Sequence, residues 1–136
     1  MSEKLDIIAI GESLIELSTD ENLTNAAVLN KYYGGDSLTT AIAALKLGSK
    51  VGFISRIGMD CFRNYLLESW FDEGLDISHV KPVQGVNGLY ILFKTENTGK
   101  RDYSFYRKKT AATNLCVDDI SVEYIKNSNI LYATGV

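Results

Sequence analysis

The sequence predicts an α/β fold, a central, mostly parallel sheet with helices and a small β lid. Three observations carry this. Short apolar runs that read as buried strands alternate with stretches whose apolar residues recur at helical spacing. Two adjacent glycines, Gly34 and Gly35, lead straight into one of those helical stretches, as at a tight strand-to-helix turn. From residue 88 to residue 107 the pattern changes to period-two alternation around an Asn/Gly-containing turn, the mark of a hairpin.

Taken in order, Leu5 to Ile10 is an apolar run stopped by Gly11, which fits a buried strand, and Leu14 to Leu17 continues as a second strand after the turn Gly11-Glu12-Ser13. Thr19 to Asn25 is a polar turn, and residues 26–33 return toward the glycine pair. Leu38, Ala41, Ile42, Ala44 and Leu45 form the apolar face of a helix ending at Gly48, with Asp36 as its expected N-cap. Val51 to Ser55 is the next strand and completes a βαβ-type unit with an insertion before its helix. Asp60 is the expected N-cap of a second helix, on which Phe62, Leu66 and Trp70 share a face and which stops at Gly74. Ile77 to Val83 is a short strand whose Pro82 places it at an edge or terminus. Leu89 to Lys94 and Arg101 to Arg107 form the hairpin, with Tyr103, Phe105 and Arg107 on one face because strand side chains alternate. Ser121 to Lys126 is a short amphipathic helix and Asn129 to Thr134 a final apolar strand.

The 136 residues suit one modest domain, and no repeat, low-complexity tract or linker divides them. A net charge of -3 offers no electrostatic case for nucleic acid or an anionic membrane surface. No apolar run approaches the roughly 20 residues that span a bilayer. The start MSEKLD is polar and lacks a secretory core, and Cys61 and Cys116 stand far apart without a metal-ligand pattern, so the expected setting is a reducing cytoplasm. His79 has no placed partners in the sequence and reads as filler.

The candidate chemistry begins at the glycine pair. With no Cβ in the way, a ligand can lie against the backbone, and the first turn of the following helix offers free N–H groups and the positive end of its dipole. Such a turn suits hydroxyl or anionic oxygens, and it serves equally as a connection with no ligand. Neither G-x-x-x-x-G-K-[ST] nor G-x-G-x-x-G occurs, which argues against a Rossmann-type nucleotide binder.

Read together, DIIAIGESLIEL, the block from Gly34 to Asp60, EGLDISHV, GLYILF, FYRKKTAAT and ILYATG resemble, in this order, the ribokinase-like (PfkB) carbohydrate kinases over nearly the whole chain. The match is nearest to 2-keto-3-deoxygluconate kinases, whose G-E-x-x-[IV]-E start, lid Tyr and [YF]-x-R have counterparts in GESLIE, Tyr90 and Phe105-Tyr106-Arg107. The resemblance implies a lid from residues near 14–33 and 88–107, lying over the sugar and often a dimer surface. It implies a substrate site of Glu16, Gly34, Gly35, Thr39, Tyr90, Phe105 and Arg107. Thr39 stands where the family usually has Asn, and it offers a hydroxyl in place of an amide. Phe105 stands where acid-sugar members tend to have Tyr. Arg107 has a direct chemical rationale, since the guanidinium fork matches the carboxylate of an aldonic acid. Outside the resemblance, Tyr90 and Phe105 read equally as lid core, Arg107 as a solvated charge, and Glu16 as a surface residue.

In the intact family ATP and Mg2+ are used, and the anion hole and catalytic Asp lie in a G-A-G-D motif that this chain lacks. The expectation is therefore the N-terminal, substrate-binding part of a kinase, residues 1–136, with no catalytic residue, nucleotide site or metal site of its own. A catalytically inactive sugar-binding or dimerisation module, and a fructokinase- or ribokinase-like enzyme, are the alternatives.

Overall fold

The computed structural model describes residues 3–135. Eleven strands and α-helices follow one another among these residues: β1 (Leu5–Ile10), β2 (Leu14–Ser18), β3 (Asn30–Gly34), α1 (Asp36–Lys46), β4 (Val51–Gly58), α2 (Arg63–Asp72), β5 (Asp76–Val83), β6 (Gly88–Lys94), β7 (Arg101–Tyr106), α3 (Val122–Lys126) and β8 (Ser128–Ala133). They build two four-stranded sheets. The body sheet has the order β5-β4-β1-β8 and all three of its pairings are parallel. The lid sheet has the order β3-β2-β6-β7, antiparallel except where β2 and β6 run side by side.

The parallel sheet follows from the near-continuous apolar strands. Ile8, Ala9, Val51, Phe53, Ile54 and Ile57 are all buried, as strands covered on both faces require. Leu38, Ala41 and Ile42 of α1, with Leu66 and Trp70 of α2, close over one face of that sheet. Trp70 is fully buried and meets Phe53 edge-on at 5.7 Å and Tyr33 edge-on at 6.5 Å. Each such side chain contributes about 1.5–3 kcal/mol by leaving water. Ile15, Leu17, Tyr33 and Leu89 carry the same core into the lid sheet, so the two sheets share packing at their junction.

Two helix starts differ from expectation. Gly35, not Asp36, is the N-cap of α1, and Asp36 is its first helical residue. Asp60 does not cap α2, which begins at Arg63 after Phe62. Its Oδ1 accepts from the Phe62 N–H at 2.9 Å and from Asn87 Nδ2 at 2.7 Å, and its Oδ2 from the Asn87 N–H at 2.7 Å. Asn87 in turn exchanges two bonds with the backbone of Gly58. The end of β4 is thereby latched to the start of β6. Other bounds also move: β4 extends to Gly58, β5 begins at Asp76, and β7 ends at Tyr106, leaving Arg107 just beyond the strand. β2 and β3 join the hairpin of β6 and β7 in one sheet. No helix among the described residues is long and apolar enough to cross a membrane.

Candidate functional site

A pocket of about 430 Å³ opens where the lid sheet faces the N-terminal end of α1. Three pieces of chain bring their side chains there. The turn after β1 and the first residue of β2 supply Glu12 and Leu14; the start of α1 supplies Gly35, Asp36, Ser37 and Thr39; the lid supplies Tyr90, Tyr103, Phe105 and Arg107. Thr134, just past β8, closes one side.

The helix end has a local cause. Gly35 has φ +113°, and a Cβ there would stand 2.5 Å from the carbonyl oxygen of Glu12. Only glycine fits, and that lets the turn after β1 lie directly against the start of the helix. The first N–H groups of α1 lack intrahelical acceptors, and the dipole places partial positive charge at this end.

The lid wall follows from register. Tyr90 on β6 stands between Glu16 on β2 and Phe105 on β7, so the three share one face, and Tyr103, paired with Leu92, lies on the same face. The rings of Tyr90, Tyr103 and Phe105 cluster with centroids 5.5–6.0 Å apart. The Tyr90 hydroxyl donates to the Glu16 carboxylate; burial first, and then that carboxylate, push its pKa up, so it stays a neutral donor.

Arg107 pairs through Nη2 with Glu12 Oε2. The two side chains are 35% and 14% exposed, a half-enclosed ion pair at the pocket wall. Burial raises the pKa of Glu12, while the charge and hydrogen bond of Arg107 lower it, and the net direction is upward. Glu12 Oε1 is enclosed without a hydrogen-bond partner.

The residues singled out in the sequence come together unevenly. Gly35, Thr39, Tyr90, Phe105 and Arg107 line the pocket. Gly34 ends β3 against Tyr90, where an added Cβ would lie 2.6 Å from the ring hydroxyl, and Glu16 stands behind Tyr90 and orients it; neither is part of the wall. Glu12, Asp36 and Tyr103 were missing from that set. Tyr103 was legible by its period-two match to Phe105 and Arg107. Glu12 could have been suspected as an acid placed immediately after a buried strand, a costly position without a partner.

Chemically, the pocket joins an aromatic wall to backbone N–H groups, hydroxyls, one guanidinium and the carboxylates of Glu12 and Asp36. That combination suits a small polyhydroxy ligand carrying an anionic group. Elsewhere, His79 stacks on Tyr124 at 3.6 Å, and among the described residues no group of three or more His, Cys, Asp and Glu side chains could hold a metal ion.

Comparison with known proteins finds relatives over nearly the whole chain. Residues 4–136 match the family described as pfkB family carbohydrate kinase. The chain is 31% identical over 139 residues to 5-dehydro-2-deoxygluconokinase of Clostridium beijerinckii, covering 98% of this chain and 41% of that protein. Among solved structures, a PfkB protein from Polaromonas sp. JS666 superposes with TM-score 0.89 at 34% identity, over 97% of this chain and 45% of that one. An uncharacterized sugar kinase from Pyrococcus horikoshii, solved in complex with ATP, superposes with TM-score 0.81 at 27% identity, over 93% and 42% of the two chains. The sequence thus spans about two fifths of the length of the curated relatives it matches.

Proposed function

The chain belongs to the pfkB family of carbohydrate kinases, and from that premise we propose that its pocket is the sugar site of an ATP-dependent kinase acting on a keto-deoxygluconic acid. The observation that carries the acid is Arg107, the one Lys or Arg side chain lining the pocket among the described residues. A neutral sugar needs no such charge, whereas a carboxylate takes two donors of a guanidinium at once. A relative named 5-dehydro-2-deoxygluconokinase supports the substrate class. 2-Keto-3-deoxygluconate is an acid of the same kind, with its ketone at C2 and its deoxy carbon at C3 instead of at C5 and C2.

In this reading each part of the wall has a task. The rings of Tyr90, Tyr103 and Phe105 cover the apolar face of the sugar and exclude water. The Gly35 backbone, Thr39 and the first N–H groups of α1 bind hydroxyls. Arg107 orients the molecule by its carboxylate, and Glu16 holds Tyr90 in place. Gly34 keeps the space beneath Tyr90 open. Positioning of this kind is a large share of phosphoryl-transfer catalysis. ATP and Mg2+ supply the phosphoryl group and its charge neutralisation. The residues present do not fit either: the chain has neither G-A-G-D nor a phosphate-binding glycine loop, and the described residues offer no metal cluster. No step of transfer is therefore assigned to them. A cytoplasmic setting, where ATP is made available, and a homodimer through the lid complete the proposal. Tyr106, on the lid face away from the pocket and 59% exposed, supports the dimer.

The test compares two ligands that differ only at one end, D-gluconate and D-glucitol. Arg107→Ala should cost about 2–5 kcal/mol of gluconate binding if the charge pair is desolvated, and far less of glucitol binding. Equal losses on both would refute the carboxylate reading.

A further inference from the structure

The ion pair at the pocket wall raises a question that the acid-binding reading leaves open. If Arg107 is there to take a substrate carboxylate, it is already facing one. Glu12 lies in the turn after β1, 14% exposed, with Oε2 on the Arg107 guanidinium and Oε1 enclosed without a hydrogen-bond partner among the described residues. The chain makes room for this pair. A Cβ on Gly88 would meet Glu12 Oε1 at 3.2 Å and Arg107 Cβ at 3.3 Å, so a larger residue there would push into both. The other acid on the wall is Asp36, and the remaining titratable groups are the phenols of Tyr90 and Tyr103. The described side chains lining the pocket therefore carry no net positive charge.

We propose that Glu12 is a specificity-determining residue: by offsetting the charge of Arg107 it sets how strongly the pocket prefers a sugar acid to the neutral sugar of the same skeleton. The inference rests on the reading that Arg107 meets the substrate carboxylate. An unpaired arginine in a half-enclosed pocket attracts any small anion, because the local dielectric is low and charge interactions are strong. Paired with Glu12, it keeps its directional donors but loses most of its long-range pull. A carboxylate bound on the far side of the guanidinium then feels the repulsion of Glu12 as well. An acid is held only when its hydroxyls are satisfied too, at the helix end and along the lid. Selectivity of this kind comes from a built-in repulsive element. Glu12 also keeps the guanidinium aimed into the pocket, since Arg107 lies beyond the last residue of β7 and has no strand ladder to fix it.

The two roles separate by substitution. Glu12→Gln keeps an oxygen for Arg107 and removes the charge. Bind D-gluconate and D-glucitol to the full 136-residue chain and follow the Gly35 and Thr39 amides by NMR. The variant should gain gluconate affinity by roughly tenfold, with glucitol changed by less than about twofold. A purely structural role would move both ligands together, so a ratio that stays constant, or shifts toward glucitol, overturns the proposal. Arg107→Ala, measured beside it, separates the two claims. If that change is selective for gluconate but Glu12→Gln leaves the ratio unmoved, the carboxylate reading stands and the role of Glu12 falls. If Arg107→Ala weakens both ligands equally, both fall. A second measurement needs no variant. Acetate, offered to the wild-type chain, should leave the Arg107 side-chain signal unmoved at concentrations where gluconate shifts it. Acetate binding as tightly as gluconate would show that the charge is not offset, and would overturn the proposal even if Glu12→Gln did not fold.

Discussion

At the scale of single residues, the site depends on a few atoms that have no substitute. Gly35 is the clearest. Its φ of +113° is unfavourable for any side chain, and the space where a Cβ would go is filled by the Glu12 carbonyl. Gly35→Ala should cost about 1–3 kcal/mol or more, since strain and a backbone clash act together. A urea midpoint indistinguishable from the parent would contradict the geometry. Asp119 makes a different kind of claim. Its side chain is 2% exposed, it meets Arg56 Nε at 2.6 Å and Lys81 Nζ at 3.4 Å, and it accepts the Cys116 N–H at 3.0 Å. Burial alone would raise its pKa, but these partners hold it at about 2. A depressed carboxyl stabilises the fold above its unfolded pKa and ceases to do so as pH falls through the folded value. The stability difference between the parent and Asp119→Asn should therefore be constant near neutrality and shrink between about pH 4 and pH 2. Thermal melts across that range decide it, and a difference that does not vary with pH would refute the assignment.

At the scale of elements, the question is what joins lid to body. Part of the answer is apolar: Ile15, Leu17 and Leu89 pack against the core under α1 and α2, and Tyr33 lies edge-on to Trp70. Tyr33 also donates to Glu73 at 3.2 Å; burial and the Glu73 carboxylate push its pKa up to about 12, so the donor keeps its proton at neutral pH. The rest is the latch of Asp60, Asn87 and Gly58. Asn87 is 8% exposed and spends its backbone N–H and both ends of its side-chain amide on that latch. Asn87→Ala should cost about 1–3 kcal/mol by leaving the Gly58 N–H and carbonyl without their amide partners, while Asp60 keeps the N–H groups of residues 62 and 87. Amide exchange should quicken in β6 and β7 before it does in β4, because the lid loses its tether while the core keeps its packing. Uniform quickening would mean the latch serves the whole fold and not the lid. Trp70→Ala, by contrast, empties the core shared by both sheets and should cost about 3–5 kcal/mol.

At the scale of the whole molecule, the body sheet ends on β8, whose outer edge has no neighbouring strand among the described residues. Ile130 and Leu131 on that strand are 56% and 48% exposed. An edge of a parallel sheet with apolar side chains in water is a template for association. The 136-residue chain should therefore self-associate at micromolar concentrations, and Leu131→Lys should reduce this without altering the far-UV spectrum. Sedimentation of both proteins is the check; a parent that remains monomeric at high concentration would refute the expectation. The 136-residue chain, which carries neither G-A-G-D nor a phosphate-binding glycine loop, should show no sugar-dependent ATP turnover with a ketodeoxygluconate, and turnover would show that other residues carry phosphoryl transfer.

What the sequence determined by itself was whatever rests on periodicity and on residues of narrow conformational use. The strand β1, the apolar face of α1 and the pairing of β6 with β7 depend on neighbours close in the chain, and they were readable. So was the glycine pair. The cap positions were not readable, because an acid near a helix start can bind the first turn, as Asp60 does with the Phe62 N–H, without being its cap; Asn87, which takes up the rest of its carboxylate, is 27 residues away. The parallel run of β2 beside β6 was invisible for the same reason, since it joins strands separated by the whole of α1 and α2. The pocket shows the division most plainly. Tyr103 could be found by counting along a strand, and Glu12 could be suspected from its place after a buried strand, but its pairing with Arg107 could not be read, because the two meet only where the lid faces the start of α1. Local patterns specify elements through short-range sterics and burial; the charge balance of a site is set by groups distant in sequence that tertiary packing alone brings within reach.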